Sequence, residues 1–126
     1  MLESGRLLFA DILGDADLTA LLLDSGGKHL AGSYLDAESR EAGEKIGATL
    51  SGVGEEVTRA MRHLNLGDWR ALVIETRDAT IAIGPGSEDS IVLVAAAASE
   101  PHGLVRRILS RSAARAGEWL RKEPKQ

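Results

Sequence analysis

Two stretches of this chain are apolar almost without interruption, and they limit the fold more than any other feature. Thr19 to Asp24 runs Thr-Ala-Leu-Leu-Leu-Asp, and Ser90 to Ala98 runs Ser-Ile-Val-Leu-Val-Ala-Ala-Ala-Ala. Short apolar runs without polar alternation suit strands covered on both faces. A sheet with two such strands at its centre needs helices above and below it, so α/β/α layers are expected. With 126 residues, the chain is expected to form a single domain over 1–126, large enough to bury a real core.

The remaining elements follow from turns and periodicity. Leu2 to Leu13 is a weakly amphipathic start that ends at Gly14. Ser25-Gly26-Gly27-Lys28 is a hairpin turn from the first strand into a second, His29 to Leu35. Trp69 to Thr76 alternates Leu72, Ile74 and Thr76 against Ala71, Val73 and Glu75, as a strand nearer an edge would. Arg77-Asp78 turns into Ala79 to Ile83, and Gly84-Pro85-Gly86-Ser87 with Glu88-Asp89 forms the next loop. Pro101 suits the first turn of a last helix with Val105, Ile108, Leu109, Ser112, Ala116, Trp119 and Leu120 on one side. The tail, 122–126, is expected to fray.

Between the second and third strands, Glu38 to Leu64 has the pattern of one long helix. Asp36 and Ser39 offer side-chain oxygens at its start, and Asn65 to Gly67 marks its end. Ile46, Leu50, Val53, Val57, Ala60 and Leu64 share one face, while Gly43, Gly47 and Gly54 with Met61 fall on a strip beside it. A helix-interior glycine costs about 0.8 to 1 kcal/mol relative to alanine, so close approach of another backbone is the natural compensation. One expectation is an apolar face on the sheet and a glycine seam against a partner. The other is a helix broken at Ser51-Gly52-Val53-Gly54.

Composition excludes several classes. The longest uncharged apolar run, Ile91 to Ala98, falls far short of the roughly 20 residues of a membrane span. No basic region followed by an apolar stretch opens the chain, so no secretory leader is expected. The absence of cysteine removes disulfides and thiolate metal sites and fits a reducing, cytoplasmic setting. Residues 1–100 hold 8 Lys or Arg against 17 Asp or Glu, while 101–126 hold 7 against 2. An acidic body with few aromatics suits neither a phosphate backbone nor base stacking, so no nucleic-acid partner is expected.

Taken together, Ala20-Leu21-Leu22-Leu23-Asp24-Ser25-Gly26-Gly27, the glycine-bearing helix, the meander from Trp69 to Ala97 and Gly103-Leu104-Val105-Arg106 resemble the Roadblock/LC7 family over residues 5 to 121. The resemblance implies a five-stranded antiparallel sheet of order 2-1-5-4-3 in an α+β, profilin-like fold. A long helix would cover one face and the N- and C-terminal helices the other. It also implies a homodimer in which edge strands pair and the long helices meet. Gly43, Gly47, Gly54, Met61, Trp69, Ala71 and Val73 would then lie at the dimer interface. By the same resemblance the chain would bind a small Ras-like GTPase and modulate its hydrolysis or nucleotide exchange without chemistry of its own. A structural adaptor that leaves turnover unchanged is the alternative, and a profilin-like or small-ligand sensor is a third.

Candidate chemistry is sparse. His29, His63 and His102 lie on different elements, without a second ligand at metal-site spacing. Asp11, Asp15 and Asp17 lack the glycine and terminal glutamate of a calcium loop, and no phosphate-cradling GxxxxGK[ST] sequence occurs. No catalytic residue, metal or cofactor is expected. Arg107, Arg111 and Arg115 align on the last helix. They form either a docking ridge for an acidic partner or anionic surface, with membrane contact at most peripheral, or a solvated helix face.

Overall fold

The computed structural model describes residues 3–14, 18–35, 38, 40–86 and 89–122. The element order is α1 (Glu3–Arg6), α2 (Ala10–Leu13), β1 (Leu18–Asp24), β2 (His29–Gly32), α3 (Gly43–Thr49), α4 (Val53–Leu64), β3 (Leu72–Glu75), β4 (Ala79–Pro85), β5 (Ser90–Ala97) and α5 (His102–Lys122). Asp15 and Asp17, the helix start expected at Asp36 and Ser39, the loop residues Ser87 and Glu88, and the tail after Lys122 lie outside the described residues.

The strands form one antiparallel sheet of order β2-β1-β5-β4-β3. The two apolar runs, β1 and β5, are neighbours at its centre, paired from Leu18↔Ala96 to Asp24↔Ser90. Alternation then sorts the core into two layers. Ala20, Leu22, Ala82, Val92 and Val94 point to the face that carries Phe9 and Ile12, together with Val105, Ile108, Leu109 and Ala116 of α5. Leu21, Ile83, Ile91 and Leu93 point the other way, toward Ile46 and Leu50. As the helical spacing predicts, Val105, Ile108, Leu109, Ser112 and Ala116 are the buried side of α5. The N-terminal helix expected over Leu2 to Leu13 is instead two short turns, with Leu8 and Ala10 bonded back to Gly5 and Leu7.

The loop after β4 is shorter than expected. Gly84 and Pro85 continue the strand, paired with Val92 and Ile91, and the connection begins at Gly86. At the other end of the sheet, the Asp24 carboxylate accepts the N–H groups of Gly26 at 2.9 Å and Lys28 at 2.8 Å, which sets the β1–β2 turn.

The single long helix is not formed. Leu35 pairs with Glu41 as an isolated bridge, so the chain is still extended where a helix was expected. Helix α3 begins at Gly43, whose N–H donates to the Glu41 carboxylate at 2.9 Å. The same carboxylate accepts from the Ser33 hydroxyl at 2.7 Å and the Tyr34 N–H at 2.9 Å. Partial burial pushes the Glu41 carboxyl up, but the Tyr34 N–H, the Ser33 hydroxyl, the Gly43 N–H and the nearby His29 ring together hold it below the usual carboxylate range. The helix then breaks between Thr49 and Val53. Gly52 adopts φ +88°, a left-handed conformation, and has open space around its Cα. Its glycine therefore serves backbone conformation and not close packing.

Candidate functional site

The break changes which helical strip meets the sheet. Gly43 and Gly47 are buried against this chain's own residues. A Cβ on Gly47 would overlap the Gly27 carbonyl oxygen, and one on Gly43 would overlap the His29 ring. At Gly54 a Cβ would sit 3.0 Å from Ile91 Cδ1. Met61, on the same strip, lines a hollow with Thr58 and Trp69. The close approach inferred from the glycines is real, and at Gly43, Gly47 and Gly54 the approaching groups belong to the chain itself.

The apolar strip is what remains open. Helix α4 has no buried residue. Ala60 is exposed, Leu64 is 60% exposed, and Val53 and Val57 are half-buried. Only Ile46 and Leu50, on α3, follow the expected packing onto the sheet. Beside them lies an apolar groove of about 360 Å³ lined by Tyr34, Ile46, Leu50, Ile74, Ile81 and Ile83 among others. On β3, Ile74 at this groove is 41% exposed, while Val73, 40% exposed, lies on the α5 side. Strand β3 pairs only with β4, so one of its backbone edges has no strand partner among the described residues. The sheet face under α3 and α4 is therefore unfinished next to an unpaired edge.

The other expected site residues separate. Trp69 packs on the α3-side core and donates its Nε1–H to Thr58 Oγ1 at 3.0 Å, tying α4 to the segment before β3. Ala71 packs on the α5 side instead. Arg115 is engaged within the chain. It donates to the Leu8 carbonyl at 3.1 Å and grips Asp11 with two bonds of 2.7 and 3.0 Å. The Arg115 hydrogen bond holds the Asp11 carboxyl below its ordinary range, and Asp11 raises Arg115 in turn. Arg115 thus anchors α2 to α5 and leaves the proposed ridge, while Arg107 and Arg111 stay exposed.

Among the described residues, no three His, Asp or Glu converge as metal ligands. His29 is buried with Nε2 2.8 Å from the Gly32 carbonyl oxygen, and His102 Nε2 lies 2.9 Å from Glu75. Nor is any described helix long and apolar enough to cross a membrane. The described surface carries grooves, an unpaired strand edge and charged side chains.

The architecture defines a class: a five-stranded antiparallel sheet between helical layers, with a free edge at β3. No family model matches the sequence, and no curated protein matches it. Solved structures do. The Roadblock/LC7 domain from Streptomyces avermitilis is 17% identical and superposes with a TM-score of 0.77, covering 93% of this chain and 98% of that one. MglB from Myxococcus xanthus gives a TM-score of 0.78 at 10% identity, covering 97% and 98%. The gliding protein MglB from Thermus thermophilus gives 0.75 at 15% identity, covering 98% and 96%. The chain has the Roadblock/LC7 fold in its MglB-like form.

Proposed function

We propose that this chain is a homodimeric, non-enzymatic regulator that binds a small Ras-like GTPase and alters its hydrolysis or nucleotide exchange. The observation that carries the reading is the unfinished sheet face beside the free β3 edge. An exposed edge strand is an association hazard unless something pairs with it. A second copy, related by a twofold axis, would pair β3 with β3 and bring the open strip of Val53, Val57, Ala60 and Leu64 against its mate. Trp69, Ala71 and Val73 belong to this interface as parts of the edge segment, whereas Gly43, Gly47 and Gly54 support it from within each protomer. The GTPase role rests on the likeness in fold to MglB structures and on the family resemblance of the sequence. Such a partner works by favouring one switch conformation, either the one that positions the attacking water or the open nucleotide site.

The test is single-turnover GTP hydrolysis and release of a fluorescent GDP analogue by a Ras-like GTPase from the same organism, with and without the full chain. A saturable change in either rate supports regulation. Binding that is independent of nucleotide state, with both rates unchanged, would instead identify an adaptor.

A further inference from the structure

The basic residues that the sequence groups on the last helix are divided by the fold. Successive residues of a helix are rotated by about 100°, so Arg106 faces one flank of α5, Arg115 the opposite flank, and Arg107 and Arg111 the solvent side between them. Arg115 is committed to Asp11. Arg106 instead overlooks a groove between α5 and the segment Arg70 to Glu75, on the sheet face opposite α3. Two adjoining hollows of about 550 and 630 Å³ share Arg70, Ala71 and Arg106 as lining, and Arg107 closes the larger one.

Charge and shape in this groove agree. Arg70, Arg106 and Arg107 have no ion pair or side-chain hydrogen bond among the described residues, in contrast to Arg40, Arg59, Arg77 and Arg115. Among the described residues, Glu75 is the one acidic group lining either hollow, and His102 already holds it. The floor is small and apolar, formed by Ala71, Gly84, Leu109 and Ala113. From Arg70 to Glu75 an extended chain advances about 17 Å, a span matched by about six residues of a guest peptide. Guanidinium groups bind carboxylates through paired, charge-assisted hydrogen bonds. A recessed, arginine-rimmed groove with an apolar floor fits an extended segment better than a flat bilayer surface, which would meet the solvent side of the helix first.

We propose that the groove between α5 and β3 binds an acidic, extended segment of a partner protein, with Arg70, Arg106 and Arg107 taking its carboxylates. This surface lies on the sheet face opposite α3 and α4; it shares Trp69, Ala71 and Val73 with the edge segment assigned above to the dimer interface, and its test reads peptide binding whatever the identity of a GTPase.

The experiment uses the full chain and a fluorescein-labelled peptide of alternating Glu and Leu, measured by anisotropy at low and high salt. Controls are the peptide with Gln in place of Glu and phosphatidylserine–phosphatidylcholine vesicles. The proposal expects binding that salt weakens, that the Gln peptide lacks, and that falls at least tenfold in Arg70→Gln/Arg106→Gln/Arg107→Gln. Arg121→Gln, an exposed change at the far end of α5, should leave it unchanged. Matching circular dichroism and thermal melts establish that the triple variant folds. Absence of peptide binding, an equal loss in Arg121→Gln, or arginine-dependent vesicle binding without peptide binding would each overturn it.

Discussion

The two faces of the sheet are built to different standards. On the α5 side, the core runs from Phe9 through Leu22 and Val94 to Ala116, with almost every member inaccessible to water. On the α3–α4 side, the buried cluster is reduced to Leu21, Ile83, Ile91 and Leu93, surrounded by partly exposed Tyr34, Ile46, Leu50, Leu72 and Ile81. The first face is closed by its own helix, and the second leaves apolar surface where a fold this small can least spare it. The contrast separates what holds the chain together from the apolar surface that its own helices leave open.

Cavity formation gives the largest test of that division. Leu22→Ala empties a fully buried site on the closed face and should lower stability by about 2 to 5 kcal/mol in urea unfolding. Ile74→Ala on the open face should cost the isolated protomer well under about 1 kcal/mol. Equal losses would erase the difference between the faces. Gly47→Ala comes next, because the added methyl meets the Gly27 carbonyl. An expected loss of about 1 to 3 kcal/mol should show up as protomer unfolding at every protein concentration, with dimer affinity following only as folding fails. A selective loss of the dimer would return the glycine strip to the interface.

The smallest effect concerns Glu41. Its carboxyl lies below its usual range in the folded chain, so its stabilising contribution is complete above the unfolded value and fades as pH falls through the folded one. Glu41→Gln should therefore have a lower urea midpoint than the parent near neutral pH, and the two should converge in acid. Parallel curves at all pH values would show that the hydrogen bonds to Ser33, Tyr34 and Gly43 do not favour the ionised form.

The sheet was legible in the sequence because its determinants are local. Uninterrupted apolar runs placed β1 and β5 at the centre, and the alternation near Ile74 placed β3 outward. Strand order came from the family resemblance, and the pairing bears it out. The helix between β2 and β3 was legible in period but not in direction. Periodicity finds two strips on a helix; which one faces inward depends on the height of the neighbouring backbone. Here Gly27 and His29 stand so close to α3 that only glycine fits opposite them. The fate of Arg115 was equally hidden, since its partner Asp11 lies 104 residues away. Arg70 gave no periodic signal at all, because a groove wall contributed by a loop is fixed only by tertiary structure.

The central claim is that a second copy completes the open face beside β3. Sedimentation equilibrium of the parent and of Ile74→Glu, at matched concentrations and with thermal melts recorded alongside, tests it most directly. The account predicts a dimer for the parent and a folded monomer for the variant, since association would strip water from a carboxylate placed in that largely apolar groove, a cost that Lys45 in its lining offsets only in part. A monomeric parent, or a variant that remains fully dimeric, would contradict it.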